Sequence, residues 1–381
     1  MRYGEFVRQM PAGTAELRQR HPLAQRLHVD LPLLLILMLL TAIGLVVLYS
    51  ASGQQLPSVM RQGRYFLLAY AVMFVVAQFD MERIKRLAPW GYAGGVVLLV
   101  LVELIGVHAK GAQRWLNVGG FQFQPAELMK TVLPATVAWY LSSRVLPPRF
   151  KYVLAVLVLI GVPTGLIMHQ PDLGTAILIA ASGAFVLFLS GLSWRYIFTA
   201  IGALIAAIYP MWHFVMHDYQ RKRVLTLLDP ELDKLGAGWN IIQSKTAIGS
   251  GGFDGKGWLH GTQSHLDFLP EGHTDFIIAV LAEEWGLRGV LVLLFVYALL
   301  LMRGAWIAVN ARHCFGRLLA GAIVLTFFVY IFVNMGMVAG LLPVVGVPLP
   351  LISQGGTALV TLFVSFGLLM SIATERRILL Q

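Results

Sequence analysis

The sequence predicts an all-α integral membrane protein of about ten transmembrane helices, with a large extracytoplasmic loop between the seventh and eighth. Three observations predict it. First, of 381 residues 57% are hydrophobic and only 13% charged, with a mean hydropathy of +0.73. A water-soluble fold of this length could not hide so much apolar surface, so the bilayer must act as solvent. Second, apolar runs long enough to cross about 30 Å of hydrocarbon recur along the chain. Third, arginine and lysine gather in the loops of one side.

Residues 1–30 are polar and carry Arg2, Arg8, Arg18, Arg20 and Arg26. They read as a cytoplasmic N-terminal segment with no cleavable signal, the first span serving as an uncleaved anchor. A polytopic domain over 31–373 follows, then a short cytoplasmic tail over 374–381. The expected spans are 31–50, 65–79, 87–108, 126–143, 152–168, 174–190, 196–213, 287–307, 318–341 and 355–373. Arg83, Lys85 and Arg86 fall in one short loop, Arg144, Arg149 and Lys151 in a second, Arg303, Arg312 and Arg317 in a third. With Arg376 and Arg377 and the N-terminal arginines, they share one side of a ten-span topology. The positive-inside rule makes that side cytoplasmic and places both termini there. Arg61 and Arg64 are the minority exception.

The net charge of +10 does not indicate nucleic acid, because the basic residues lie in short clusters where topology and anionic headgroups account for them. Membrane lipids are the partners those clusters imply. The single cysteine, Cys314, excludes an internal disulfide.

The opposite face carries the loop 214–286 and shorter segments at 109–125, 169–173 and 342–354. A connection this long without low complexity is usually functional. Within it, 274–286 is expected to dip into the interface before Gly286 and Gly289, because a span starting at Phe276 would carry Glu283 and Glu284 into hydrocarbon. Gln124-Pro125-Ala-Glu127 and Gln170-Pro171-Asp172 each open a span from this face. Proline in the first turn and an acid near the positive end of the helix dipole explain both motifs without a ligand.

The polar stretch from Gly255 to Asp275 supplies the strongest chemical candidate. Asp275 could be a helix N-cap, a common use of aspartate. Its company favours chemistry: Glu271, His273 and Thr274 are adjacent, with His265 and Asp267 upstream. Half-buried carboxylates near other acids become usable general bases. No second His or Cys falls at metal-ligand spacing from His273. No cofactor is certain; the acids leave room for a transient divalent ion, magnesium or manganese, shared with a substrate phosphate.

Cations expected on the same face are Arg114, Lys130, Arg221, Lys222, Arg223 and Lys245. Each has a plainer account. Lys130 can pair with Glu127 three residues earlier. For Arg221 to Arg223, contact with lipid phosphate and substrate binding stand even. Arg114 beside Trp115 fits an interfacial anchor. An ionisable pair inside a membrane nevertheless points to function. The segment from Leu342 to Gly356, rich in glycine and proline, is too broken for a helix and too apolar for water. Irregular backbone at that depth must line a protein-walled cavity. Ser353 has no base beside it in the sequence and is rejected as a nucleophile.

On these residues the chain resembles the SEDS family, the bacterial shape, elongation, division and sporulation proteins. The resemblance runs from the first span onward. It is carried by Lys110-Gly-Ala-Gln-Arg-Trp-Leu116, Phe123-Gln-Pro-Ala-Glu-Leu-Met-Lys130, Gln170-Pro-Asp-Leu-Gly-Thr175, Ser190-Gly-Leu-Ser-Trp-Arg195, Gly236-Ala-Gly-Trp-Asn-Ile-Ile-Gln-Ser-Lys245, Ile248-Gly-Ser-Gly-Gly252 and His273-Thr-Asp275. Gly257-Trp-Leu-His-Gly-Thr-Gln263 is similar to the elongation branch rather than the division branch. One departure is Gln354, where the family has tyrosine in Ser-Tyr-Gly-Gly; an aromatic contact is lost and the turn-forming glycines remain.

The resemblance implies a ten-span peptidoglycan glycosyltransferase of the inner membrane. It would polymerise lipid II during elongation, with its active site facing the periplasm and Asp275 in the catalytic role. It also implies a class B penicillin-binding protein as crosslinking partner and the MreB-associated elongation complex on the cytoplasmic side. Such a reaction needs a base for the attacking sugar hydroxyl, Asp275 tuned by Glu271 or His273, with Thr274 beside them in the substrate site. It needs cations for the departing diphosphate, from among Arg114, Lys130, Arg221, Arg223 and Lys245, with Glu127 beside Lys130. Direct displacement would invert the anomeric centre. A flippase of the lipid-linked precursor is the alternative, and a scaffold without activity a third; no inverted repeat is evident, and the polar groups crowd one face.

Overall fold

The computed structural model describes residues 28–109, 112–118, 121–216, 218–233, 236–262 and 271–375. The arginines before residue 28, together with Lys110, His265, Asp267, Arg376 and Arg377, lie outside them. Each of the ten expected spans contains a helix, although the third, expected over 87–108, ends at Ile105 and gives way to a strand. In order come α1 (Leu31–Ala51), α2 (Leu56–Ala77), α3 (Met81–Ile105), α4 (Pro125–Ser142), α5 (Phe150–His169), α6 (Leu173–Leu189) and α7 (Trp194–Pro210). Two helices of the long loop follow, α8 (Asp218–Leu228) and α9 (Ala237–Gly251), and then α10 (Ile277–Asn310), α11 (Cys314–Val338) and α12 (Thr357–Thr374).

Among the described residues, eight helices are long and apolar enough to cross a membrane. The other two expected spans differ for physical reasons: α6 is a shorter apolar helix, and α4, 18 residues long, carries Glu127 and Lys130. Helix starts follow local chemistry. Asp30 accepts from the Leu33 amide at 3.0 Å, and Pro57 and Pro125 occupy first turns, where a missing N–H costs nothing.

Long-range contacts define the two ends of the bundle. At one, the Asp30 carboxylate pairs with Arg303, His28 meets Thr374 at 3.1 Å, and the Ser371 hydroxyl donates to the Phe79 carbonyl at 2.7 Å. At the other, Gln62 of α2 reaches the segment before α12: its amide donates to the Ser353 carbonyl at 3.5 Å, and its oxygen accepts from the Gly355 amide at 3.2 Å. Arg61 and Arg64 flank Gln62 and stand exposed at this end. Edge-to-face rings fill the middle: Tyr297 on Phe327 at 5.9 Å, Phe327 on Phe366 at 5.5 Å and Tyr70 on Phe363 at 4.7 Å. The Tyr297 hydroxyl, buried in this core, donates to the Pro350 carbonyl at 2.5 Å. By contrast α7 buries none of its residues and stands at the bundle's edge.

Two features go beyond the sequence-based expectation, and a third gives the expected break before Gly286 its geometry. The segment 109–125 is not a plain connection. Strands β1 (Val107–Ala109), β2 (Ala112–Val118) and β3 (Phe121–Phe123) form a small antiparallel sheet in that order. The long loop is helical over α8 and α9. And α10 is two helices in one: Gly286, at φ 62° and ψ −163°, breaks it into a short helix over 277–285 and a long one over 287–310. Glu283 and Glu284 end the short helix. Both are buried in protein rather than facing hydrocarbon.

Candidate active site

The short helix of α10 begins at Ile277 with Phe276 in the N-cap position. Asp275 therefore precedes the cap position. Three consecutive carbonyls fix this turn. The Gln354 amide donates to the His273 carbonyl at 3.1 Å, the Ser353 hydroxyl to the Thr274 carbonyl at 2.5 Å, and the Asn334 side-chain amide to the Asp275 carbonyl at 2.8 Å. Asn334 lies inside α11, fully buried, and also donates to the Val347 carbonyl at 2.7 Å. Ser353 accepts from the Leu349 amide at 2.8 Å as well. Its hydroxyl is thus committed to structure, in line with its rejection as a nucleophile.

The segment over 342–356 wraps this turn. A Cβ placed on Gly346 would lie 3.4 Å from the Asp275 Oδ2, so the missing side chain leaves room beside the carboxylate. One residue earlier, the Val345 carbonyl would meet a Cβ on Gly174 of α6 at 2.9 Å. Residues 345–346 therefore stand between the start of α6 and Asp275. Glu271 and Thr274 form the local frame: the Thr274 hydroxyl donates to Glu271 Oε2 at 2.5 Å.

A second cluster lies against the same segment. Arg114 on β2 spreads over the turn before α6: its guanidinium donates to the carbonyls of Gln170 at 3.3 Å and Pro171 at 2.5 Å. It also stands 3.7 Å from Asp172 Oδ2. That oxygen accepts from the Gln124 amide at 3.3 Å, while Oδ1 caps α6 by accepting from Thr175 N at 3.2 Å. On α4, Lys130 and Glu127 form a buried ion pair at 2.6 Å. The Lys130 ammonium lies 5.1 Å from the Tyr330 ring, and Thr361 donates to Glu127 at 3.4 Å. Tyr330 is within electrostatic reach of Lys130, Glu127 and Asp172. Glu127, Lys130 and Tyr330 line a chamber of about 90 Å³ roofed by Pro348, Leu349 and Ser353. The expected cavity is there, and irregular backbone at membrane depth lines it.

The remaining cations have local partners. Arg221 donates to the carbonyls of Trp212 at 2.9 Å and His213 at 3.1 Å, closing the π-helical turn Met211–Val215. Lys222 pairs with Asp233 at 3.0 Å, and Arg223 lies on the same helix, α8. Lys245 of α9 sits over the end of α11, where a Cβ on Gly340 would lie 2.7 Å from its ammonium; a cation there complements the helix dipole. The structure thus joins Arg114, Glu127 and Lys130 in one cluster, and Glu271, His273, Thr274 and Asp275 in another. The 342–356 segment separates them.

Sequence reasoning left out Asp172, Asn334, Tyr330 and Gln62. Asp172 had a signal, the Gln-Pro-Asp motif, but capping explained only one of its two oxygens. Asn334 and Tyr330 are single polar residues of an apolar helix and Gln62 stands between two arginines, and the role of each is visible only through its partners. Among the described residues, no three His, Cys, Asp or Glu side chains converge as metal ligands.

A bundle of membrane-crossing helices with ionisable clusters and a clamped carboxylate at one end defines a polytopic membrane protein with a polar pocket. The chain belongs to the FtsW/RodA/SpoVE family, whose model, described as cell cycle protein, matches residues 30–378. It is 55% identical over 355 residues to the peptidoglycan glycosyltransferase MrdB of Escherichia coli K12, covering 93% of this chain and 96% of that one. Similarity to the probable peptidoglycan glycosyltransferase FtsW of Geobacter metallireducens is 37% over 361 residues, covering 91% and 95%. Among solved structures, a chain from a peptidoglycan synthase complex that coordinates polymerization and crosslinking superposes with a TM-score of 0.80 at 32% identity, covering 91% and 98%. The rod shape determining protein RodA of Thermus thermophilus gives 0.69 at 28%, covering 91% and 97%.

Proposed function

We infer that this chain is a peptidoglycan glycosyltransferase of the inner membrane that extends glycan strands from lipid II, with Asp275 as the general base. The observation that carries the assignment is a carboxylate one residue outside the helix cap, on a turn whose backbone is held by three consecutive clamps, beside a glycine-made gap. In the proposed step, Asp275 takes the proton of the acceptor's 4-hydroxyl as that oxygen attacks the anomeric carbon of the donor. The bond from that carbon to the diphosphate breaks, and the electron pair leaves with the lipid diphosphate. One displacement inverts the centre. Arg114 and Lys130 are the cations best placed to meet the leaving charge, because Asp172 and Glu127 hold them in position. A magnesium or manganese ion would be shared between the acids of the 271–275 turn and the donor diphosphate, where it would offset the leaving charge.

The pocket end of the bundle faces the periplasm in this reading, and both termini are cytoplasmic. A class B penicillin-binding protein crosslinks the product, and the MreB-associated complex organises the pair from the cytoplasm. The likeness to a chain of a polymerizing and crosslinking complex supports the first partner.

The test is direct. Purified Asp275→Asn, incubated in detergent with lipid-linked disaccharide, is expected to melt like the wild type yet form no glycan chains. Full activity of that variant removes Asp275 from the mechanism. A wild-type chain that forms no polymer, alone or with its crosslinking partner, but moves the precursor across vesicles is a flippase instead.

A further inference from the structure

We propose that a groove between α1 and the 281–293 stretch of α10 is a binding site for a phospholipid with a primary ammonium headgroup, separate from the Asp275 pocket. The groove holds about 570 Å³, against about 90 Å³ for the chamber under the active-site segment. Ile43, Val46 and Val47 form one wall, Val292 and Leu293 the other. It opens sideways onto the bilayer, since Val46 is 42% and Val292 58% exposed. An acyl chain fits walls of this kind.

Its polar groups select the headgroup. The floor carries Glu284, 2% exposed, whose carboxylate accepts the Ser50 hydroxyl. Its negative charge beside the groove favours a cationic group over an anionic one in the space above it. At the rim, Arg288 and Asp254 form an ion pair at 2.7 Å, both side chains about two-thirds exposed. Trp258 and Trp285 flank it, residues that favour the depth of lipid headgroups. A zwitterion matches this pattern: its phosphate faces the Arg288 guanidinium, and its ammonium donates to Asp254 and Glu284. An anionic headgroup meets two carboxylates, and a quaternary amine has no N–H to give them. A partner's transmembrane helix would bury the exposed Asp254–Arg288 pair without replacing its solvent.

The rim is preformed. The Gly257 amide donates to the Glu284 carbonyl at 2.9 Å and the Lys256 amide to that of Glu283 at 3.0 Å. Lys256 also pairs with Glu283 at 2.7 Å, so the loop bearing Asp254 and Trp258 is latched to the short helix bearing Glu284.

Native mass spectrometry of the full chain in detergent tests this, with phosphatidylethanolamine, phosphatidylcholine and phosphatidylglycerol of matched acyl chains as probes. Phosphatidylethanolamine should be retained about threefold or more over the other two, the worth of a partly exposed charge-assisted contact. Asp254→Asn should bring it down to the phosphatidylcholine level, and Arg288→Gln should weaken all three. Val46→Trp, at a lipid-facing position, should fill the groove and abolish the preference; melting curves check that each variant is folded. Equal retention of the three lipids, preference for the anionic lipid, or an unchanged preference in Asp254→Asn or Val46→Trp overturns the proposal. None of these readouts depends on Asp275 being the base.

Discussion

At the scale of single residues, Asn334 is the least conspicuous part of the pocket and one of the most constrained. One amide group holds the carbonyls of Asp275 and Val347, tying the proposed base to the segment that walls it. Asn334→Ala should lower kcat by about tenfold or more with little change in KM, because the base is misplaced while substrate contacts remain. Two buried hydrogen bonds are lost, so unfolding should be easier by about 1–3 kcal/mol. Steady-state kinetics beside a melting curve separates the two effects; a change in KM alone would contradict a positioning role. Lys130 and Glu127 allow a different separation. Lys130→Met leaves a buried carboxylate unpaired and should cost about 3–5 kcal/mol, whereas Glu127→Leu with Lys130→Met should recover much of that. If Lys130 serves the leaving group, the double variant is stable and still inactive.

Among the elements, the broken helix α10 and the segment over 342–356 decide the pocket's shape. Gly286 occupies a backbone region open almost only to glycine, and a Cβ there would lie 2.5 Å from the Phe253 carbonyl oxygen. Gly286→Ala should therefore lower stability by about 1–3 kcal/mol from strain alone, with the collision adding to it; thermal unfolding measures this. A variant as stable as the wild type would mean that the break is not required. Gly286 and Gly289 marked the break in the sequence, and the acids at 283–284 signalled that the short piece could not face lipid. What the acids face instead was hidden. Glu283 takes the Lys256 ammonium and the amide and hydroxyl of Thr262, 21 residues earlier, contacts that no local pattern announces. The sheet over β1 to β3 escaped notice for a related reason: its strands are 3, 7 and 3 residues long, too short for an alternation to stand out.

For the whole molecule, the ion pair between Asp30 and Arg303 and the contact of His28 with Thr374 put the two ends of the described chain together, away from Asp275. An even number of crossings produces that arrangement. Cys314 begins α11 and is exposed, and as the single cysteine of the chain it reports sidedness without further engineering. A membrane-impermeant maleimide should label it in inverted vesicles and not in intact spheroplasts. In a Cys314→Ser background, Asp254→Cys should behave in the opposite way. Labelling of Cys314 from outside would reverse the proposed orientation and with it the periplasmic active site.

The amino-acid sequence alone determined the class, the spans and the proposed base. Hydrophobic length is a local quantity that bilayer thickness reads directly, and an acidic loop among lipid-soluble helices stands out against its neighbours. Tertiary structure decided how the polar residues group. It turned Arg221 toward the carbonyls of the π-helical turn before α8 and gave Asp172 a second duty. It also set Asn334 and Ser353 against the carbonyls of Asp275 and Thr274, respectively, across 59 and 79 residues of chain. Hydrogen bonds and ion pairs of that kind form between groups that meet only after the helices have packed, so spacing along the chain carries no trace of them.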